Sequence, residues 1–234
     1  MTSLLIATRN AHKAREIRAI LGDGFLLLTL RDFAAAPAVV EDADTFAGNA
    51  EKKAVTLARW LEARSTAAAR APGAEWFVLA DDSGLEVDAL GGAPGVRSAR
   101  FAALDADPKR NAGDTENNVK LLRLLARVPW EQRTARFRCV IALTPVRESA
   151  VRNSSPVCYA DEPEVRTEFF EGVCEGRVGF EPQGQNGFGY DPLFFPDGYE
   201  QTFAELGDAV KGRVSHRARA LWWVKERFLR PASQ

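Results

Sequence analysis

The 234-residue sequence predicts an α/β fold with a mixed β-sheet, as one large domain or as two lobes sharing a core. Three observations predict it. Short apolar runs alternate with amphipathic helical stretches through the first eighty residues. Strand-like segments cluster in the second half, which calls for antiparallel pairing beside the parallel part. Hydrophobic residues make up 46% and charged residues 27% of the chain, enough for a sizeable core under an ordinary soluble surface.

The elements follow in order. Residues 3–8 (SLLIAT) read as a buried strand. Asn10 is placed to cap a helix over 11–21, with Ile17, Ile20 and Leu21 on one face and Gly22 as its stop. Residues 25–30 form a second apolar strand, and 31–44 a loop rich in Ala, Pro and acid. Phe46, Ala50, Leu57 and Leu61 share the register of a helix over 45–63. The Ala/Arg-rich run 65–74, closed by Pro72-Gly73, reads as an exposed insertion. Residues 76–80 are a third strand, expected to end in a sharp turn at Asp81-Asp82-Ser83-Gly84. A helix falls within 107–128.

Residues 134–143 alternate as a half-buried strand, with Phe137, Cys139, Ile141 and Leu143 facing inward and Arg136 and Arg138 outward. Residues 144–167 read as an irregular excursion, and 168–180 as a hairpin. Residues 184–191 are a Gly-rich loop. Ser215 caps a final helix carrying Leu221, Trp222, Val224 and Phe228.

Composition narrows the function. A formal net charge of −1 gives no global basic field for nucleic acid or an acidic membrane. Three cysteines without CxxC spacing disfavour a disulfide framework and fit a reducing cytoplasm. Two histidines disfavour a His-rich zinc site. No apolar run approaches a membrane span, and the first residues read as a core strand rather than a leader.

Within that frame, several segments can carry chemistry. Residues 8–13 order strand, tight loop and helix, so a helix N-terminus offers backbone donors and a favourable dipole to phosphate, with Lys13 adding charge. Glu16 is expected to orient Lys13 as an i,i+3 pair. An ordinary capped helix is the alternative, and the absence of GxxxxGK[ST] disfavours a P-loop ATPase.

Asp81 and Asp82 follow an apolar strand, where α/β folds place ligands, and alternation should turn them to different faces. One of the two, with Glu41, suits Mg²⁺, which takes one or two carboxylates plus water and phosphate oxygens. Capping roles are the alternative for any lone acid. Asn49 and Lys53 share one helical face. In 184–191, three glycines admit close backbone approach, and Phe188 and Tyr190 are either an aromatic face for a base or core plugs. Lys211, His216 and Arg217 gather donors near one helix start.

Together the stretches ATRNAHKAREI, TFAGNAEKKA, LADDSGLEVDALGGAPGVRSARF, EPQGQNGFGYDPLF and KGRVSHRARAL resemble the inosine triphosphate pyrophosphatase family, the house-cleaning enzymes for nonstandard purine triphosphates. They occur in family order from residue 5 to about 221. The resemblance implies a two-lobed domain spanning 1–234, with a long mixed sheet flanked by helices and an active-site cleft between lobes. It implies a homodimer and no nucleic-acid or membrane partner.

Residue by residue, Thr8, Arg9, Asn10, Ala11, His12 and Lys13 match the family's substrate-binding loop. Asp82 matches the proton acceptor and metal ligand, and Glu41 a metal-linked carboxylate. Ser83 matches a substrate contact and Lys53 a lysine near the phosphates. Phe188, Gly189, Tyr190 and Asp191, then Lys211, His216 and Arg217, match nucleotide contacts, chiefly around the base.

The implied reaction is Mg²⁺-dependent hydrolysis of inosine, deoxyinosine and xanthosine triphosphates to monophosphate and pyrophosphate, with Mn²⁺ as a substitute ion. Arg9 departs from the small residue many members carry, Gln183 stands where Arg is frequent, and 64–75 and 144–167 are long. Competing readings are a nucleotide-binding module without turnover, a pyrophosphatase for modified pyrimidine triphosphates, and a nucleic-acid-binding protein.

Overall fold

The structure is a computed structural model that describes residues 2–64, 75–105, 111–147 and 166–230. Six strands form one sheet in the order β2-β1-β3-β4-β5-β6. These are β1 (Ser3–Ile6), β2 (Leu26–Thr29), β3 (Trp76–Val87), β4 (Thr134–Pro145), β5 (Glu168–Val178) and β6 (Phe194–Pro196). β1 runs parallel to both β2 and β3. From β3 to β6 each neighbour is antiparallel. The mixed α/β sheet expected from the sequence is therefore present.

The helices cover the two faces. On one face α2 (Phe46–Arg64) packs Ala50, Ala54 and Leu57 against Leu5, Val78 and Ala80. On the other, α1 (Ala11–Leu21) and α5 (His216–Leu229) pack Ile17, Leu221 and Val224 against Leu4, Leu79 and Ile141. A third cluster joins α3 (Asp114–Leu124) and α4 (Phe203–Val214) to the far end of the sheet through Leu121, Phe203, Phe137 and Leu85. Strand alternation is the cause: Val78, Ala80 and Asp82 face α2, while Leu79, Asp81 and Ser83 face α1 and α5.

Four expectations need correction. β3 does not end in a turn at Ser83-Gly84. It continues to Val87, because β4 pairs with it from Phe77↔Pro145 to Val87↔Ala135. Gly84 serves a close approach instead: a Cβ there would collide with the Gly95 carbonyl oxygen and the Ser98 hydroxyl of the 3-10 segment Gly95–Arg100.

Residues 168–178 are one strand, not a hairpin, since β5 pairs continuously along β4. Trp222 is 52% exposed, so the core of α5 rests on Ala218, Leu221 and Val224. α4 is an unexpected helix, opened by a capping box in which Thr202 and Glu205 satisfy each other's backbone N–H groups. The insertion 65–74 and residues 148–165 of the long excursion lie outside the described residues.

Candidate active site

A cleft of about 1240 Å³ opens beside β3, and the residues singled out in the sequence line it except Ala11, His12, Glu16, Asn49 and Asp81. It is built from both faces of one strand. The pleat sends Asp82 toward α2 and Asp81 toward α1 and α5, as alternation requires.

Asp82 accepts a hydrogen bond from Asn49 Nδ2 at 3.2 Å and lies 3.6 Å from Lys53 Nζ. Lys53 is itself buried. Its ammonium donates to the Asp81 carbonyl at 2.7 Å and to Glu41 Oε2 at 2.8 Å. Burial would drive the Lys53 pKa down, but Asp82 and Glu41 overcome it and hold the lysine charged. Asp82 is the unbalanced partner. Burial pushes its carboxyl up to about 6, and repulsion from Glu41 and Asp81 adds to this against the pull of Lys53 and Lys13.

Asp81 has the opposite fate. Burial acts to raise it, yet Arg217 and Lys13 hold it well below the usual carboxylate range. Lys13 Nζ lies 2.5 Å from Oδ1, Arg217 Nε 3.1 Å from Oδ2, and the Cys139 thiol donates to the same oxygen. Asp81 therefore anchors two cations, while Asp82 keeps a proton affinity suited to exchange near neutrality.

The helix start is also committed. Asn10 Oδ1 accepts the His12 and Lys13 N–H groups at 2.9 and 3.2 Å, and the Asn10 N–H donates to Thr8 Oγ1. These N–H groups are not open to an incoming anion, so the loop contributes through its remaining groups and Lys13. The expected Glu16–Lys13 pairing is absent. Glu16 instead accepts Lys211 at 2.7 Å and Arg217 at 2.5 Å. Although burial opposes it, Arg217 and Lys211 keep Glu16 ionised and its pKa lowered.

The late donors form one network around that carboxylate. Lys211 also meets Asp191 at 2.5 Å, and Asp191 accepts the Phe188 backbone N–H at 2.8 Å. Gly187 must be glycine, since a Cβ there would strike the Asp191 carboxylate. Arg217 spends further N–H donation on Ser83 Oγ at 2.8 Å, so its guanidinium ties α5 to β3. His216 is buried and stacks on Phe137 at 4.8 Å, with Nδ1 lacking a partner. Burial, then Arg217 and Lys211, keep it neutral by holding its pKa well below the usual imidazole value.

The two aromatics of the Gly-rich loop part company. Phe188 lies under Lys211, with the ammonium 4.5 Å from its ring centre, and stacks on His12 at 5.4 Å. Tyr190 belongs to the core, its hydroxyl donating to the Ser98 carbonyl at 2.9 Å. Gly189 is fixed from α3, its N–H on Asp114 Oδ2 and its carbonyl accepting from Asn118.

Glu16 and Asp114 thus have site roles that local sequence did not assign. Asn49, a hydrogen-bonder beside Lys53 suited to a phosphate or carboxylate, meets that carboxylate in Asp82. Asn49 carried a signal, since it shares a helical face with Lys53. Glu16 was misread because Lys13 was the nearer cation in sequence.

A divalent cation fits this donor set. Glu41 and Asp82 flank the same ammonium, and burial, with repulsion from Glu41 and Asp81 added, outweighs the pull of Lys53 and Lys13 on the Asp82 carboxyl. Two carboxylates completed by phosphate oxygens match a hard ion such as Mg²⁺. Among the described residues no group of three or more His, Cys, Asp or Glu converges as a self-sufficient cage.

Comparison with known proteins agrees with the motif order. The model of the Ham1 family matches residues 4–227. The dITP/XTP pyrophosphatase of Shouchella clausii is 43% identical over 226 residues, covering 97% of this chain and 96% of that protein. The dITP/XTP pyrophosphatase of Desulforamulus reducens is 46% identical over 219 residues, covering 93% and 91%. Among solved structures, a HAM1 protein from Coxiella burnetii superposes with a TM-score of 0.73 at 33% identity, covering 97% of this chain and 98% of that one. The Staphylococcus aureus Ham1 protein gives 0.71 at 30% identity, covering 97% of each.

Proposed function

The chain belongs to the Ham1 family, and from that premise and the geometry of its cleft we propose that it hydrolyses nonstandard purine nucleoside triphosphates to the monophosphate and pyrophosphate. Inosine, deoxyinosine and xanthosine triphosphates are the proposed substrates. The observation that carries the reading is the division of labour along β3. Asp82 and Lys53 form a reactive pair on one face, and Asp81 and Ser83 anchor the Arg217 network on the other, both open to one cleft.

Asp82 accepts a proton from the water that attacks the α-phosphorus. The new P–O bond forms as the bond from that phosphorus to the bridging oxygen of pyrophosphate breaks. Lys53 and Lys13 stabilise the charge that develops on the phosphate oxygens. Asp82 and Glu41 would hold Mg²⁺, which would supply further charge neutralisation to the phosphate. No covalent nucleophile is required. Cys139 is fully buried and its thiol is pushed well up by burial and by Asp81.

Lys211, His216 and Arg217 set the purine. Lys211 and Arg217 offer donors, which suit the 6-oxo group of hypoxanthine and xanthine and oppose the 6-amino group of adenine.

The test is product analysis after incubation with inosine triphosphate and Mg²⁺. Pyrophosphate and inosine monophosphate in equal amounts are expected, whereas stepwise release of orthophosphate would defeat the reading. The proposal includes a homodimer acting in the cytoplasm. Light scattering that finds only monomer at working concentration would remove the dimer.

A further inference from the structure

The cations lining the cleft fall into two classes. Lys13, Lys53, Lys211 and Arg217 each lie against carboxylates that already balance their charge. Arg9, Arg97 and Arg100 also line the cleft, and among the described residues none of them pairs with a carboxylate. A triphosphate carries several negative charges, more than a set of pre-neutralised lysines offsets.

Two of these arginines have a shared and unusual arrangement. Arg9 Nη2 reaches from the β1–α1 loop to the Ala36 carbonyl at 3.0 Å. Arg100 Nη1 reaches from the 3-10 segment Gly95–Arg100 to the Glu41 carbonyl at 3.1 Å. They grip the same loop, 31–44, from separate elements. A carbonyl takes up one N–H and leaves the guanidinium charge unopposed, with the other donors of the fork available. Arg100 holds the very residue whose carboxylate meets Lys53, so its charge stands next to the proposed reacting end.

We propose that Arg9 and Arg100 form a guanidinium clamp for the β- and γ-phosphates, the part of the substrate that leaves as pyrophosphate. Planar forks engage paired phosphate oxygens in a way that a lysine point charge does not. Because both arginines also hold loop 31–44, capture of the tail fixes the backbone that presents Glu41. The clamp rests on the triphosphate reading above and assigns the tail specificity that the base network leaves open. It also gives a role to the departure at Arg9 and to the Arg100 end of a motif otherwise without an assignment.

The test is titration calorimetry of the full chain with inorganic pyrophosphate in MgCl₂, and separately with inosine monophosphate. Arg9→Gln and Arg100→Gln keep a side-chain donor for the carbonyl and remove the charge. Each is expected to weaken pyrophosphate binding ~10-fold, and the double variant more, with monophosphate binding and the unfolding midpoint near those of the wild type.

Loop staples without a phosphate role would give wild-type pyrophosphate affinity in all three, which overturns the clamp. So would an equal loss of monophosphate binding, or a wild type that does not bind pyrophosphate. Should a Gln variant unfold, Arg9→Lys and Arg100→Lys decide in its place: they keep the charge without the fork, and undiminished pyrophosphate affinity overturns the clamp. If pyrophosphate binding falls as expected while inosine triphosphate is not hydrolysed by the wild type, the clamp stands and the purine assignment fails.

Discussion

Asn49 Nδ2 donates to Asp82 Oδ2 at 3.2 Å, and this bond joins helix α2 to the strand on which the proposed chemistry depends. It fixes one carboxylate oxygen and leaves Oδ1 facing Lys53. Asp82→Asn preserves the shape but removes the charge and most of the basicity. Turnover of inosine triphosphate is expected to fall by at least ~100-fold in a folded variant. Near-normal turnover would remove Asp82 from the mechanism.

The same substitution is expected to stabilise the metal-free protein. The Asp82 pKa is about 6 in the fold, above the 3.8 of an unperturbed carboxyl. The folded state therefore holds the proton more tightly than the unfolded chain does. That contribution is full below about pH 3.8 and is lost as pH rises through about 6. Thermal melts in chelator should show the midpoint of Asp82→Asn gaining on the wild type between about pH 4 and pH 7, then holding level. A constant difference across that window would mean that Asp82 does not titrate there.

Activity should require a hard divalent ion. Mg²⁺, and Mn²⁺ in its place, should support turnover, while Ca²⁺ should not, because its larger shell misplaces the phosphate oxygens. Adding Mg²⁺ should raise the melting midpoint of the wild type and leave that of Asp82→Asn unmoved, since binding stabilises only a fold that holds the ion. Full activity after exhaustive chelation would rule the ion out.

Selectivity among purines rests on the Arg217 network. Inosine and xanthosine triphosphates are expected to exceed ATP in kcat/KM by as much as ~10⁴-fold, with GTP also poor. Equal efficiency on ATP and inosine triphosphate would mean that these donors do not read the base.

Arg217→Ala should lose the favoured substrates, but the structure adds a second consequence. Arg217 is buried and paired with Asp81 and Glu16, so truncation strands two carboxylates. A stability loss of about 3–5 kcal/mol is expected from denaturant melts. A variant as stable as the wild type would show that Lys13 and Lys211 suffice to hold the two acids.

What the sequence disclosed followed from local rules. The Asn10 cap and the Gly22 stop of α1 are decided within a few residues, and both occur as expected. The opposed directions of Asp81 and Asp82 follow from the pleat alone. What it concealed was set by distant partners. Asp81-Asp82-Ser83-Gly84 has turn composition, yet pairing with β4, some sixty residues on, keeps it extended. Glu16 had Lys13 one helical turn before it, but its partners stand 195 and 201 residues away. In α4, Gly207 with φ 73° interrupts the periodicity, although Thr202 and Glu205 carried a readable start signal.

A strand that serves two faces is intolerant of changes in length. Between Trp76 and Asp81 every residue is a rung: β1 pairs with Trp76 to Leu79 and β4 with Phe77 onward, so Phe77, Val78 and Leu79 are held in register from both sides. Loss or gain of one residue there would exchange the environments of the two aspartates. The carboxylate tuned to exchange protons would be locked against Arg217, and the anchor would face Lys53. Substitutions in this stretch can be absorbed by repacking, whereas single-codon deletions and insertions cannot. In a deletion scan, β3 upstream of Asp82 should stand out as a block where no indel leaves a working enzyme.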